Sequence, residues 1–170
     1  LISGPTASGK SKAALKIAKK LNGEIINADS MQVYKELKIL TARPSKTDLN
    51  KIDHHLYGFR SVKKEFSSGE WLKLAKKNIK KIRDKNKIPV LVGGTGLYFK
   101  ALTDGLVKIP KIPISVRDKI RRMQNKLGQK KFYLKLLNND PLVKNKIDPT
   151  DVQRSIRAYE VIKFTKKSVF

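Results

Sequence analysis

Cysteine is absent from the 170 residues. That excludes disulfides, thiolate metal sites and a cysteine nucleophile, and it fits a reducing, cytoplasmic setting. No apolar run approaches the length that crosses a bilayer, so no membrane partner is expected. No secretory leader is legible. The chain opens on Leu1-Ile2-Ser3, which reads as a core strand cut short at its start. Acidic residues are scarce, 14 against 39 basic ones, for a formal charge of +25. Such a surface attracts polyanions, nucleic acid first among them. Yet 31 of the 39 are Lys and 8 are Arg, and a codon bias toward Lys, Asn and Ile accounts for part of the same excess. The length suits one domain with a real core and a small appendage.

What is present begins at once. Gly4-Pro5-Thr6-Ala7-Ser8-Gly9-Lys10-Ser11 satisfies G-x-x-x-x-G-K-[ST], the phosphate-binding loop. Gly4 and Gly9 are expected to take backbone angles closed to other residues, so that successive N–H groups converge on one anion. The helix that follows adds its positive end. Lys10 supplies a mobile charge, and Ser11 a hydroxyl ligand for Mg²⁺. The competing reading is an ordinary Gly/Ser turn before a helix.

Alternating strand and helix patterns follow. A helical stripe runs over Ala14, Ile17, Ala18 and Leu21, and Glu24-Ile25-Ile26-Asn27-Ala28 reads as a short buried strand. Residues 41–53 read as loop or short helices. Ser67 with Glu70 forms a capping box before a helix whose apolar face is Trp71, Ala75, Ile79 and Ile82. Ile88-Pro89-Val90-Leu91-Val92 reads as a parallel strand buried on both faces. It ends in Gly93-Gly94-Thr95-Gly96 and a helix to Thr103. The order predicts an α/β fold with a parallel sheet flanked by helices and right-handed crossovers. Two prolines, Pro110 and Pro113, then suggest a linker. From Lys108 to Lys146 there are twelve basic and two acidic residues, in helical segments near 115–126 and 130–138. Another helix is expected from Asp148-Pro149, with Val152, Ile156, Tyr159 and Ile162 on its apolar side.

Several phosphate-loop chemistries fit poorly. No acidic residue closes the apolar strand, as a motor-type ATPase would need, and no guanine-reading Asn-Lys-x-Asp occurs. Asp29 is the outstanding carboxylate. It follows the second strand, close to the phosphate loop if the first two strands are neighbours. There it serves either as a base toward an acceptor or as a helix cap. Gly93-Gly94-Thr95 offers amides and a hydroxyl for a ligand, or makes a tight turn without one.

GPTASGKS, NADSMQVY, HHL, VGGTGLYFKAL and DPTDVQRSIRAYEV together resemble the tRNA dimethylallyltransferases, also called tRNA isopentenyltransferases, in order and spacing. The resemblance implies a P-loop NTPase-like core with a small basic helical insertion domain. It implies transfer of a dimethylallyl group from dimethylallyl diphosphate to N6 of the adenosine just 3′ of a tRNA anticodon. The loop, Gly4 to Ser11, then holds the leaving diphosphate, with Mg²⁺ at Ser11. Asp29, Thr6 and Lys10 become the catalytic residues. Asp29, Ser30, Met31, Gln32, Thr95, Arg117, Gln153, Arg154, Ser155, Ile156 and Arg157 match positions that touch the anticodon stem-loop of tRNA. The protein is expected to work as a cytoplasmic monomer. The resemblance divides the chain into a core (1–108), a tRNA-clamping insertion (109–147) and a return helix (148–170).

The chain departs from the pattern at Leu40, where the family usually has Gly before Thr41-Ala42-Arg43-Pro44. It also stops well short of the family's usual length, and it reads as a piece truncated at both ends. Two rivals remain: a small-molecule kinase with ATP in the loop and Asp29 as base, and an inactive RNA-binding protein.

Overall fold

The computed structural model describes residues 1–107 and 109–170. Lys108, counted above in the basic segment, lies outside them. The chain forms two units, Leu1–Leu106 and Val107–Phe170, so the boundary falls beside the proline-rich linker.

The first unit contains β1 (Ile2–Ser3), α1 (Lys10–Lys20), β2 (Gly23–Asn27), α2 (Lys46–Leu49), β3 (His54–His55), α3 (Ser68–Arg83), β4 (Ile88–Gly93) and α4 (Gly96–Thr103). Its strands are all parallel, in the order β1-β4-β2-β3. Alternate side chains of one strand face opposite layers. Ile25, Val90 and Val92 meet Ala14 and Ala18, the two small residues that let α1 lie close to the sheet. Ile26 and Leu91 point the other way, toward Trp71, Ala75, Ile82 and Tyr98. The continuous apolar runs of β2 and β4 are therefore required on both faces. The capping box forms as expected: Ser67 Oγ accepts from the Glu70 amide at 3.2 Å, and Glu70 Oε2 accepts from the Ser67 amide at 3.0 Å.

One expectation about proximity is corrected. β1 and β2 are not neighbours, because β4 lies between them. Registers Ile2↔Val92 and Asn27↔Val92 put the ends of all three strands at one level, so the loop and Asp29 still flank the same strand end. The two-residue β3 was not expected. It is held by pairing to β2 rather than by its own pattern.

Near the start of β2, Glu24 is fully buried. Lys87 and Lys85 donate to its Oε1 at 2.9 and 3.1 Å, and His55 Nε2 donates to its Oε2 at 2.7 Å. Burial pushes this carboxyl up, but those three hydrogen bonds outweigh it and bring the pKa from 4.5 to about 2. A folded-state pKa below the unfolded one gives stability that is complete above the unfolded value and is lost as pH falls toward the folded one. Stability is thus expected to fall between pH 4.5 and about 2, by on the order of 3 kcal/mol from this group. In Glu24→Gln this part of the acid limb should vanish from urea titrations across that range.

The second unit is a helical hairpin. α5 (Ile114–Asn139) is broken at Gly128, where φ 71° and ψ 162° interrupt the helix between the two expected segments. A short 3-10 turn, Pro141–Val143, leads back toward α6 (Val152–Thr165). Phe132, Leu136, Val143 and Tyr159 are completely buried in its core. Residues 148–170, expected as a return helix, share this core with residues of the expected insertion. α6 starts later than Asp148-Pro149. Asp148 closes its own turn onto Thr150, and Asp151 is the true cap, accepting from the Arg154 amide at 2.9 Å.

Candidate active site

The loop between β1 and α1 has the strain expected of an anion cradle, with one redistribution. Gly9 is left-handed at φ 77°, and the other left-handed residue is Ala7, at φ 64°. Gly4 is not. A Cβ there would lie 2.9 Å from Ser8 Oγ, a contact that a turn of the Ser8 hydroxyl would relieve. A left-handed alanine costs on the order of 1–2 kcal/mol, a strain that tends to persist at working sites. Lys10 Nζ donates to the Pro5 carbonyl at 2.8 Å, folding its charge back over the loop.

A cleft of about 680 Å³ is lined by Thr6, Ala7, Ser8, Gly9, Lys10, Ser11 and Lys12 on one side. Asp29, Met31 and Gln32 line it too, together with Leu37, Leu40, Thr41 and Ala42. Sequence reasoning gave the first two groups apart from Lys12. It did not anticipate the third as a wall, and Leu40, the departure from the family pattern, stands 86% exposed there. Gly94 marks the distance from loop to acid. A Cβ on it would sit 3.4 Å from the Gly4 carbonyl and 3.9 Å from Asp29 Oδ2. Gly93 is obligatory, since its Cβ would come within 2.1 Å of Ala28 backbone atoms.

The cap weighed for Asp29 is present. Oδ1 accepts from the amides of Met31 at 2.9 Å and Gln32 at 3.4 Å, which is a turn cap. Among the described residues nothing donates to Oδ2, so that oxygen is left for a ligand. Thr95 ties the two strand ends together: its Oγ1 accepts from the Ser30 amide at 2.9 Å and donates to Ser30 Oγ at 3.3 Å. Gln32 Nε2 donates to the Thr41 carbonyl at 2.8 Å, fastening the third wall. Tyr98 stacks on Trp71 with ring centroids 4.3 Å apart. Burial, with a lesser push from Tyr34 and Asp29, raises its hydroxyl to about 12. Burial also raises Tyr57, and the Asp29 charge adds to it. Both phenols are therefore neutral donors, not bases, at ordinary pH.

The histidines of the HHL segment are structural. His54 Nδ1 donates to the Ile52 carbonyl at 2.7 Å, and burial lowers its pKa. His55 holds Glu24. Among the described residues no group of three or more His, Asp or Glu side chains could hold a metal ion. A Mg²⁺ of the phosphate-loop kind needs less than that: one hydroxyl, with further oxygens from the ligand and water. Ser11, exposed on the cleft wall, fits as that hydroxyl.

The other predicted contacts lie in the second unit. Gln153, Arg154 and Arg157 are exposed, whereas Ser155 and Ile156 are buried. Ser155 Oγ accepts from Gln129 Nε2 at 3.1 Å, and Ile156 belongs to the hairpin core. Arg157 donates to Glu160 Oε2 at 3.1 Å, and Arg117 Nε lies 3.5 Å from Glu160 Oε1. The buried Glu160 thus fixes two of the predicted RNA-contacting guanidiniums at the hairpin surface. Arg121, Arg122, Lys126, Lys130 and Lys131 are spread along α5, and all five are exposed. No helix among the described residues is long and apolar enough to cross a membrane.

Residues 32–170 match the family described as IPP transferase. The chain belongs to that family. Over all 170 residues it is 64% identical to a tRNA dimethylallyltransferase of Pelagibacter ubique (strain HTCC1062) and 49% identical to one of Rickettsia massiliae (strain Mtu5). It covers 54% and 47% of those two proteins, so it spans about half the length of the curated relatives it matches. A eukaryotic dimethylallyltransferase captured acting on tRNA superposes with a TM-score of 0.84 at 31% identity, over 99% of this chain and 42% of that one. A tRNA isopentenylpyrophosphate transferase from Bacillus halodurans superposes with a TM-score of 0.62 at 36% identity, over 96% and 55%. The IPP transferase match begins at Gln32, while the full-length relatives extend it through the phosphate loop.

Proposed function

We propose that this chain supplies the donor site and the base for prenyl transfer from dimethylallyl diphosphate to N6 of the adenosine 3′ of a tRNA anticodon. The observation that carries this reading is the shared cleft: the amide-rich loop and Asp29, whose Oδ2 takes no hydrogen bond among the described residues, line one cavity. The allylic C–O bond breaks, carbon gains positive charge and the diphosphate gains negative charge. Loop amides, the Thr6 hydroxyl and the Lys10 ammonium stabilise the departing group. The N6–C bond forms, and the N6 proton passes to Asp29 Oδ2. Ser11 would hold Mg²⁺, whose charge would further neutralise the diphosphate.

The acceptor base must leave its stack to enter the cleft, which is cheap in an anticodon loop. Residues 29–32, Thr95, Arg117, Gln153, Arg154 and Arg157 are the proposed RNA contacts. Ser155 and Ile156 support them from beneath. Five charges along α5, Arg121, Arg122, Lys126, Lys130 and Lys131, are proposed to meet phosphates. Replacing all five by Gln should flatten the slope of log affinity for tRNA against log salt, by about 0.7 for each phosphate no longer neutralised. Filter binding across a salt series reads this. An unchanged slope would mean that those charges only solvate the helix.

The primary test is transfer of radiolabelled dimethylallyl diphosphate to unmodified tRNA. It should be run on this chain and on a version continued at both ends to the length of its relatives. Labelled tRNA from either is the expected result. Calorimetry showing ATP binding without any response to the prenyl donor would favour the small-molecule kinase instead.

A further inference from the structure

We propose that Asn27 is a positioning residue for this reaction, one that sets where the Asp29 carboxylate stands. The proposal rests on the prenyl-transfer reading. Asn27 ends β2 and is fully buried. Its side chain turns along the chain onto residue 29. Oδ1 accepts from the Asp29 amide at 2.9 Å, and Nδ2 donates to the Asp29 carbonyl at 2.9 Å. Nδ2 also donates to the Leu56 carbonyl at 3.0 Å. The Asn27 carbonyl accepts from Trp71 Nε1 at 2.8 Å, deep in the other layer.

The sheet itself stops holding the chain just before Asp29. Ala28 makes the last bonds to neighbouring strand ends, donating to Val92 and accepting from the Thr95 amide at 2.8 and 3.2 Å. Both backbone polar groups of Asp29 then go to one side chain. The Asp29 carboxylate is therefore fixed from two directions. Its Oδ1 is pinned by the amides that follow it, and its backbone is pinned by the residue two before it. Oδ2 is what remains free to aim.

The amide chemistry is specific. One acceptor faces an N–H, and two donors face two carbonyls, so the amide orientation follows from its partners. A carboxylate of the same shape would oppose two carbonyl oxygens in a site closed to water. A hydroxyl could meet only part of the set. The phosphate loop is held by none of these bonds. Loss of Asn27 should therefore disturb the base and spare the diphosphate.

Kinetics of Asn27→Asp and Asn27→Ser, in whichever form of the protein transfers the label, test this. A misplacement of the base by about 1 Å can cost on the order of 10²-fold in rate. The expected result is a kcat drop of that order with donor KM and diphosphate affinity unchanged. If Asn27 acts through Asp29, the same substitution should cost little more in an Asp29→Asn background. An unchanged kcat in both Asn27 variants would overturn the proposal. So would a kcat loss that repeats undiminished in the Asp29→Asn background, since that is a general effect on the fold. Full turnover of Asp29→Asn alone would instead remove the base itself, a separate failure seen without touching Asn27. Asn27→Ser, neutral and small, keeps the comparison available if the buried charge of Asn27→Asp prevents folding.

Discussion

Asp29→Asn is expected to lower prenyl transfer by about 10²–10⁴-fold, the usual contribution of a positioned general base. The substitution is close to isosteric. Asn can still present an oxygen to the Met31 and Gln32 amides, so the turn that Oδ1 now caps should persist. What disappears is the proposed proton acceptor, Oδ2. Diphosphate affinity should hold, because the loop amides and Lys10 do not depend on the carboxylate. Affinity for tRNA should change little. Single-turnover transfer with saturating donor separates these effects. Turnover equal to the unsubstituted protein would leave Asp29 only its cap.

The second large effect should come from Lys10→Met. The ammonium rests on the Pro5 carbonyl, 2.8 Å away, and lies on the cleft wall. An arriving diphosphate offers it a full negative charge in place of a neutral oxygen, so the side chain should swing to the ligand. That interaction strengthens as charge builds on the departing group, and it is therefore felt in the transition state. Loss of one such donor typically costs about 10²–10³-fold in kcat. Binding of inorganic diphosphate should also weaken, measured by calorimetry on this chain. Retained diphosphate affinity together with full turnover would show that the loop does not hold the leaving group. The contrast is informative. Lys10→Met should weaken diphosphate binding, whereas Asp29→Asn and the Asn27 variants should not.

These predictions concern residues that differ in how legible they are. The phosphate loop is a local object. Its eight positions impose their own backbone geometry, so spacing alone located it, although the strain fell on Ala7 as well as Gly9. The capping box before α3 and the helix break between the two α5 segments are local in the same way. Asp29 was legible as a carboxylate after a strand. Its neighbourhood was not, because that depends on β4 lying between β1 and β2. Asn27 and Trp71 gave no signal of their hydrogen bond, since an Asn at a strand end and a Trp on an apolar helix face are common. That bond joins residues 44 positions apart. The start of α6 differs for a local reason: two acids three residues apart both suit a cap, and Asp148 closes its own turn onto Thr150, which leaves Asp151 to cap the helix.

The amino-acid order by itself determined the glycine-rich loop before α1, the alternation of strands and helices, the basic hairpin after the prolines and the family likeness. These rest on backbone sterics, periodicity and short-range hydrogen bonds, which act within about a dozen residues. Only the tertiary structure decided the order β1-β4-β2-β3, the third wall of the cleft around Leu40 and Thr41, and the Asn27 clamp on Asp29. It also decided which residues of α6 face outward. Each of those depends on burying surfaces from distant segments against one another, a condition that no stretch of sequence carries alone.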